Sequence, residues 1–276
     1  MIIVIDALNK DRLAGVLDEM FRLRARVFGD RLGWEVKIED GGEIDEFDAL
    51  DPAYVVGLDE DGHVISCVRY LQTTGPHMLS NVFQNILGGE PPLRSPRIWE
   101  STRFCVDTDR LRRTGSSTTV SQATCELLIH AIEYARRSGI TDIVTVIDPI
   151  IDRVVKRSDC APYGYLGSTV QMGKSKAMAA LVDCTPERIA RLRAYSGISG
   201  DAFLTDDEAI ALAARREELP EGNCSYEDLI SYCEDQVAHA VTAHDRQSAD
   251  RLCRMLLDGA DAARITATAQ ASQMIH

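Results

Sequence analysis

Short apolar runs of strand length alternate with amphipathic stretches of helix length over about the first 185 of 276 residues, and then stop. This alternation constrains the fold more than any other feature. Strands separated by helical segments bury their apolar faces by forming a sheet covered by helices, an α/β arrangement. Residues 1–5, 54–58, 63–71, 97–106, 141–147 and 176–184 read as strands. Asn9 or Asp11 is expected to cap a helix reaching about Phe28, and Met78–Leu87, Ser116–Arg137 and Ile150–Arg157 read as further helices. Asp59-Glu-Asp-Gly62 between two apolar runs is a hairpin turn. Residues 29–53 are polar and long for a simple connection, which marks them as functional. After Pro186 the chain turns rich in Ala, Glu, Asp and Arg at helical spacing. A domain over 1–185 and a helical extension over 186–276 follow.

Several function classes drop out on charge and composition. Acidic residues outnumber basic ones 43 to 30, a net charge of −13, so the chain lacks the electrostatic footprint of a nucleic-acid binder. No apolar run is long enough to span a bilayer. The apolar opening meets Asp6 without the basic and hydrophobic regions of a signal peptide. The eight cysteines are scattered, with no Cys-x-x-Cys and no Cys/His group at zinc-ligand spacing. These features point to a reduced, cytoplasmic, metal-free protein.

Five segments carry chemistry. Phe21, Arg24 and Phe28 fall on one helix side, with Trp34 beyond; Arg24 is either paired in the interior or reaches to solvent past a core of aromatics. Glu43-Ile-Asp45-Glu-Phe-Asp48 is an acid-rich stretch, solvated unless a base calls for it. Arg69 sits within a β-run and is either a surface arginine or one held inside by a carboxylate. Ile98-Trp-Glu100-Ser-Thr-Arg103-Phe104 places two charges in an apolar strand, where they need a reason. Three residues apart, they share a face only if a β-bulge intervenes, which would also free a backbone N–H. Arg112-Arg113-Thr-Gly115-Ser-Ser117 before a helix can cradle a phosphate through backbone amides, or simply cap that helix.

In combination, Arg24-x3-Phe28-x5-Trp34, Asp45-x-x-Asp48, Arg69, Phe83 and Trp-Glu100-x-x-Arg103-Phe resemble the signature of the acyl-homoserine-lactone synthases, the autoinducer synthases of quorum sensing. The resemblance covers roughly residues 1–185, and the tail departs from it. It implies a GNAT-like α/β/α sandwich around a central mixed sheet. It also implies acylation of the amine of S-adenosylmethionine from an acyl thioester, followed by lactonisation and release of methylthioadenosine. On that reading Glu100 is the base and works beside Arg103. Arg24, Phe28, Trp34, Asp45, Asp48 and Arg69 bind S-adenosylmethionine, with Arg24 or Arg103 on its carboxylate and the aromatics near its sulfonium. Phe83, Phe104, Thr145 and Ile147 would line the acyl pocket, with Met78 and Met172 beside them.

The donor would be an acyl carrier protein or acyl-CoA, docking on Arg112, Arg113, Arg153, Lys156 and Arg157. No cofactor and no covalent enzyme intermediate are expected. A conventional N-acyltransferase using acyl-CoA would share the glycine loop but would leave Trp34, Asp45 and Asp48 without a purpose. A non-catalytic sensor of S-adenosylmethionine or of a carrier protein would need no base. The tail, with one apolar stripe per helix, reads as a docking or homodimerising module, or as plain packing within one subunit.

Overall fold

The computed structural model describes residues 1–113, 120–157, 160–172 and 175–218. Seven strands form one sheet in the order β1-β4-β5-β6-β7-β9-β8: β1 (Ile2–Ile5), β4 (Ala53–Leu58), β5 (Val64–Gln72), β6 (Ile98–Val106), β7 (Asp142–Ile147), β9 (Ser175–Asp183) and β8 (Gly164–Met172). A two-stranded hairpin, β2 (Ile38–Glu39) and β3 (Gly42–Glu43), stands apart. Every pairing in the large sheet is antiparallel except β6 with β7. A single parallel pair inside an antiparallel sheet requires a crossover, which α4 (Val120–Arg137) supplies.

Helices cover both faces, giving the α/β/α sandwich. On one face α1 (Ala14–Arg24) lays Val16, Met20 and Leu23 against Val56, Leu58 and Cys67. On the other, Leu127, Ile132 and Ala135 of α4 pack on Val55, Val68, Tyr70 and Ile143. Smaller elements complete the chain: α2 (Met78–Asn81), a 3₁₀ turn (Gln84–Leu87), α3 (Thr108–Arg113) and α5 (Pro149–Arg157). The β4–β5 turn is tied by Asp59, whose Oδ1 accepts from the His63 amide at 2.9 Å.

Several boundaries differ from the sequence reading. Neither Asn9 nor Asp11 caps α1; Asn9 instead accepts from the Asp6 amide and donates to the Val4 carbonyl, and the helix starts at Ala14. Beyond Arg24 the helix widens into a π-helical stretch, Ala25–Arg31, a form frequent at functional sites. Strand β8 had no clear signal, since Gly164 and Gly167 interrupt it and its exposure does not alternate cleanly. Gly167, in the left-handed region, lies so close to the Ile86 carbonyl that no larger residue fits.

The expected boundary at 185 rests on composition, and compact packing groups the chain on its own terms. The first compact unit runs from Met1 to Arg216 and the second from Glu217 to His276. Helices α6 (Pro186–Ser196) and α7 (Asp206–Glu218) therefore begin within the first unit. α6 starts on a Thr185 cap and buries Ile189 and Leu192 with the α4 cluster. α7 buries Ala209 and Leu212 with the α1 cluster. Between them, Ile2 donates to Ala202 and accepts from Leu204, both at 2.7 Å, which closes the exposed edge of β1. The Leu212 carbonyl lies 2.5 Å from where a Cβ on Gly62 would stand, so α7 packs directly on the β4–β5 turn. The apolar residues at 229–256 that suggested a dimerising stripe lie outside the described residues. We expect a chain ending at Cys184 to lose its cooperative melting transition and aggregate, measured by circular dichroism and light scattering against the full chain.

Candidate active site

The acid-rich segment folds back over the sheet because α1 and β3 approach closely. A Cβ on Gly42 would stand 2.9 Å from the Phe21 Cβ, so glycine lets the hairpin sit against the helix. That contact brings Glu43 under Arg24. Arg24 donates from Nε to Glu43 at 2.6 Å and from both Nη atoms to Asp48 at 2.8 Å. Arg69 reaches Asp48 at 2.7 Å and grips Asp45 at 2.5 and 2.9 Å. Arg103 joins Asp45 at 2.8 Å to Glu43 at 2.9 Å. The six groups close into a ring of alternating charge: Arg24, Glu43, Arg103, Asp45, Arg69, Asp48 and back to Arg24.

Burial makes this ring strong and demanding. Arg24, Arg69 and Glu43 are fully buried, whereas Asp45 and Arg103 retain 13% and 11% of their side-chain exposure and so form its accessible edge. Burial alone would raise the Asp48 carboxyl. The Arg24 hydrogen bonds, the charges of Arg24 and Arg69 and the Asp45 amide outweigh it and hold Asp48 well below the usual carboxylate range. Tyr54 also donates to Asp48 at 2.7 Å, and its own phenol is pushed far up by burial and that carboxylate. The arginines lie 5.1–5.7 Å from the ring centroids of Phe21, Phe47 and Phe28, within cation–π range. Phe28 in turn stacks on Trp34 at 5.2 Å, and Trp34 is half exposed.

Arg103 reaches the ring because β6 bulges there. Arg69 pairs with Thr102 and Cys67 with Cys105, so Arg103 and Phe104 together face Val68, and Arg103 has a φ of 55°. The expected bulge exists, but at Arg103 itself and not between it and Glu100. Glu100 does not pair with Arg103. Its carboxylate is fully buried and accepts from the Met78 and Leu79 amides, both at 2.6 Å. Burial raises its pKa to about 7, against those two amides and the Arg69 charge.

The parallel contact between β6 and β7 ends at Ser101 and Thr145, where the Thr145 hydroxyl donates to the Ser101 carbonyl at 3.0 Å. Beyond it the described pairings keep β6 with β5 and β7 with β9, so a fork opens beside Thr102. The expected acyl-pocket residues divide across the sheet here. Phe83 packs with Val144 and Val146 on one face, and Phe104 packs with the α4 cluster on the other. Strand alternation places Thr145 and Ile147 on the face opposite Val144 and Val146. Phe104, Thr145 and Ile147 therefore lie on the α4 face and Phe83 on the other.

Of the expected donor surface, the side chains of Arg153 and Lys156 are described. Lys156 is held by Asp152 at 2.6 Å over the Tyr165 ring, and Arg153 turns back to the Pro149 carbonyl at 3.1 Å. The side chains of Arg112, Arg113 and Arg157 and the whole loop around Gly115 lie outside the described residues. Glu43, Tyr54 and the Met78–Leu79 amides were missed as members of the site. Glu43 had a usable signal, since it stands two residues before Asp45 and an extended chain sends both to one side. Among the described residues no helix is long and apolar enough to cross a membrane, and no group of three His, Cys, Asp or Glu side chains is arranged to hold a metal.

Comparison with known proteins places this site. The chain belongs to the autoinducer synthase family, which it matches over residues 9–192. An acyl-homoserine-lactone synthase of Agrobacterium fabrum is 38% identical over 169 residues, covering 61% of this chain and 79% of the relative. The fold is similar to that of MesI, described as a CoA-dependent acyl-homoserine lactone synthase, with a TM-score of 0.64 and 28% identity over 74% of this chain and 98% of that one. It is similar also to BjaI, solved with S-adenosylmethionine and isopentyl-CoA, with a TM-score of 0.64 and 26% identity over 78% and 98% of the two chains.

Removing one carboxylate from the ring leaves two buried arginines short of charge. Asp48→Asn is expected to destabilise the protein by about 3–5 kcal/mol in urea titrations at pH 7. Because the Asp48 pKa is depressed in the folded state, the gap between variant and parent should narrow as pH falls below about 4.

Proposed function

We propose that this synthase acylates the amine of S-adenosylmethionine from an acyl thioester and closes the product to an N-acyl-homoserine lactone. The observation that carries the reading is the placement of two differently tuned sets of charge. A locked ion ring exposes one acid and one arginine at its edge, and a separate carboxylate with a pKa of about 7 lies in the same strand as that arginine. A zwitterionic sulfonium substrate needs both signs of charge. Its carboxylate meets Arg103 and its cationic part meets Asp45, with Phe28 and Trp34 alongside. Arg24, Asp48 and Arg69 are the frame that fixes this edge; Arg24 is too deeply paired to take the substrate carboxylate, which leaves that role to Arg103.

Glu100 takes a proton from the amine, directly or through one water, since a base poised near the working pH is the most effective. The amine attacks the thioester carbonyl at the β6–β7 fork, and a backbone N–H at the Arg103 bulge stabilises the oxyanion. The thiol leaves as the amide forms. A carboxylate oxygen of the substrate then attacks the methylene carbon bonded to sulfur, the C–S bond breaks, and methylthioadenosine departs with the electron pair. The residues hold protons and charges throughout; no cofactor enters these steps. A conventional N-acyltransferase would use the fork and Glu100 but has no use for the ring edge.

Acyl-CoA is the donor favoured here, because BjaI was solved with isopentyl-CoA and Lys156 is already engaged by Asp152. An acyl carrier protein is the other donor to test. The five described cysteines are buried free thiols, in keeping with a cytoplasmic enzyme. Incubation with S-adenosylmethionine and a panel of acyl-CoA and acyl-carrier thioesters, read by mass spectrometry, should give an acyl-homoserine lactone and methylthioadenosine. Glu100→Gln should melt normally yet turn over about 10²–10⁴-fold more slowly. Asp45→Asn should raise KM for S-adenosylmethionine at least tenfold, an effect an acid merely exposed to solvent would not produce.

A further inference from the structure

Glu100 owes its position to a single tight turn, and one residue organises that turn. Both amides that hold its carboxylate belong to the first two residues of α2, directly after His77. His77 is fully buried. Its carbonyl accepts from the Ser80 and Asn81 amides at 3.1 and 3.0 Å and from the Ser80 hydroxyl at 2.9 Å. Its own amide donates to the Ser80 hydroxyl oxygen at 3.3 Å. The ring Nδ1 lies 2.9 Å from the Gly75 carbonyl and 3.2 Å from the Ser80 hydroxyl. A carbonyl can only accept, so Nδ1 carries the proton, and Nε2 is left buried with no hydrogen-bond partner. A side chain held this firmly by one nitrogen, at the expense of the other, is there for the conformation it imposes.

We propose that His77 is a positioning residue for Glu100, fixing through Ser80 and Gly75 the turn whose two amides aim at the carboxylate. This rests on the assignment of Glu100 as the base and adds what sets its working range. The groups that bear on Glu100 come from two directions, the Met78 and Leu79 amides from α2 and the Arg69 charge from β5; its β5 and β7 partners Leu71 and Val144 are apolar. Burial drives the carboxyl pKa up, and the two amides restrain it because they favour the charged form. His77 itself stays neutral: burial lowers its pKa, opposed by the Gly75 carbonyl and assisted by the Arg94 charge. Loosening the turn removes restraint from Glu100 without touching substrate.

The test follows the carboxyl directly. In protein carrying ¹³C at the glutamate side-chain carboxyl, the Glu100 resonance is the one absent from Glu100→Gln. His77→Ala should move its titration midpoint upward by about one pH unit, which lowers kcat/KM at pH 7 about fivefold by protonating the base. Ser80→Ala, which removes only a hydroxyl, should move it in the same direction. If His77→Ala folds by circular dichroism with an unchanged midpoint, the proposal is overturned. Where that variant does not fold, an unchanged midpoint in Ser80→Ala overturns it equally. Full synthase activity in Glu100→Gln would instead end the base assignment while leaving the His77 result standing.

Discussion

Everything around the site depends on a ring of six charges that closes on itself. Each carboxylate touches two arginines and each arginine two carboxylates, so no member can leave without exposing two others. The members come from α1, β3 and the turn after it, β5 and β6, which means that the ring fastens the acid-rich loop to the sheet. Charges buried singly would cost several kcal/mol each. Only the complete circuit, with its hydrogen bonds in place, offsets that cost. It also accounts for two local oddities. Gly42 must be small so that Glu43 can reach Arg24, and Arg103 accepts a left-handed backbone because its guanidinium has two carboxylates to satisfy.

The ring and Glu100 divide the labour by the kind of partner each uses. Acids meant to stay charged are faced by permanent cations, which hold Asp48 far below neutrality. Glu100, the acid proposed to exchange a proton, is held by two neutral amides in a buried setting, with the Arg69 charge also bearing on it, and its pKa lies near 7. Had Arg103 paired with Glu100, as their proximity in sequence suggested, that carboxylate would be a fixed charge and a poor base. The bulge prevents this by turning Arg103 toward Glu43 and Asp45.

The parts of this arrangement that follow strand or helix periodicity were legible in the sequence. The strands β4 to β7, the hairpin turn at Asp59 and the approach of Phe21, Arg24 and Phe28 all follow from period two or period 3.6. The position of Arg69 stayed open in the sequence, and the structure buries it on Asp45 and Asp48. What escaped depends on contacts distant in the chain. Nothing local says that Glu43, rather than Glu100, is the partner of Arg103, nor that the Met78–Leu79 turn supplies the donors for Glu100. The split of Phe83 from Phe104 across the sheet was hidden for the same reason. Strand β8 was masked by its glycines, and the boundary at 185 followed a change of composition, while packing carries α6 and α7 onto the same core.

The short segment before α7 has a consequence for how copies of this chain can meet. By bridging to Ile2 it takes up that residue's amide and carbonyl, the outward-facing groups at the start of the edge strand β1. Among the described residues β8 is then the remaining terminal strand of the sheet. An association that continues the sheet from one molecule into the next through β8 would form on the far side of the β6–β7 fork from β1. Two copies joined in that way would each carry Glu100 inboard of the seam, separated from it by β7, β9 and β8.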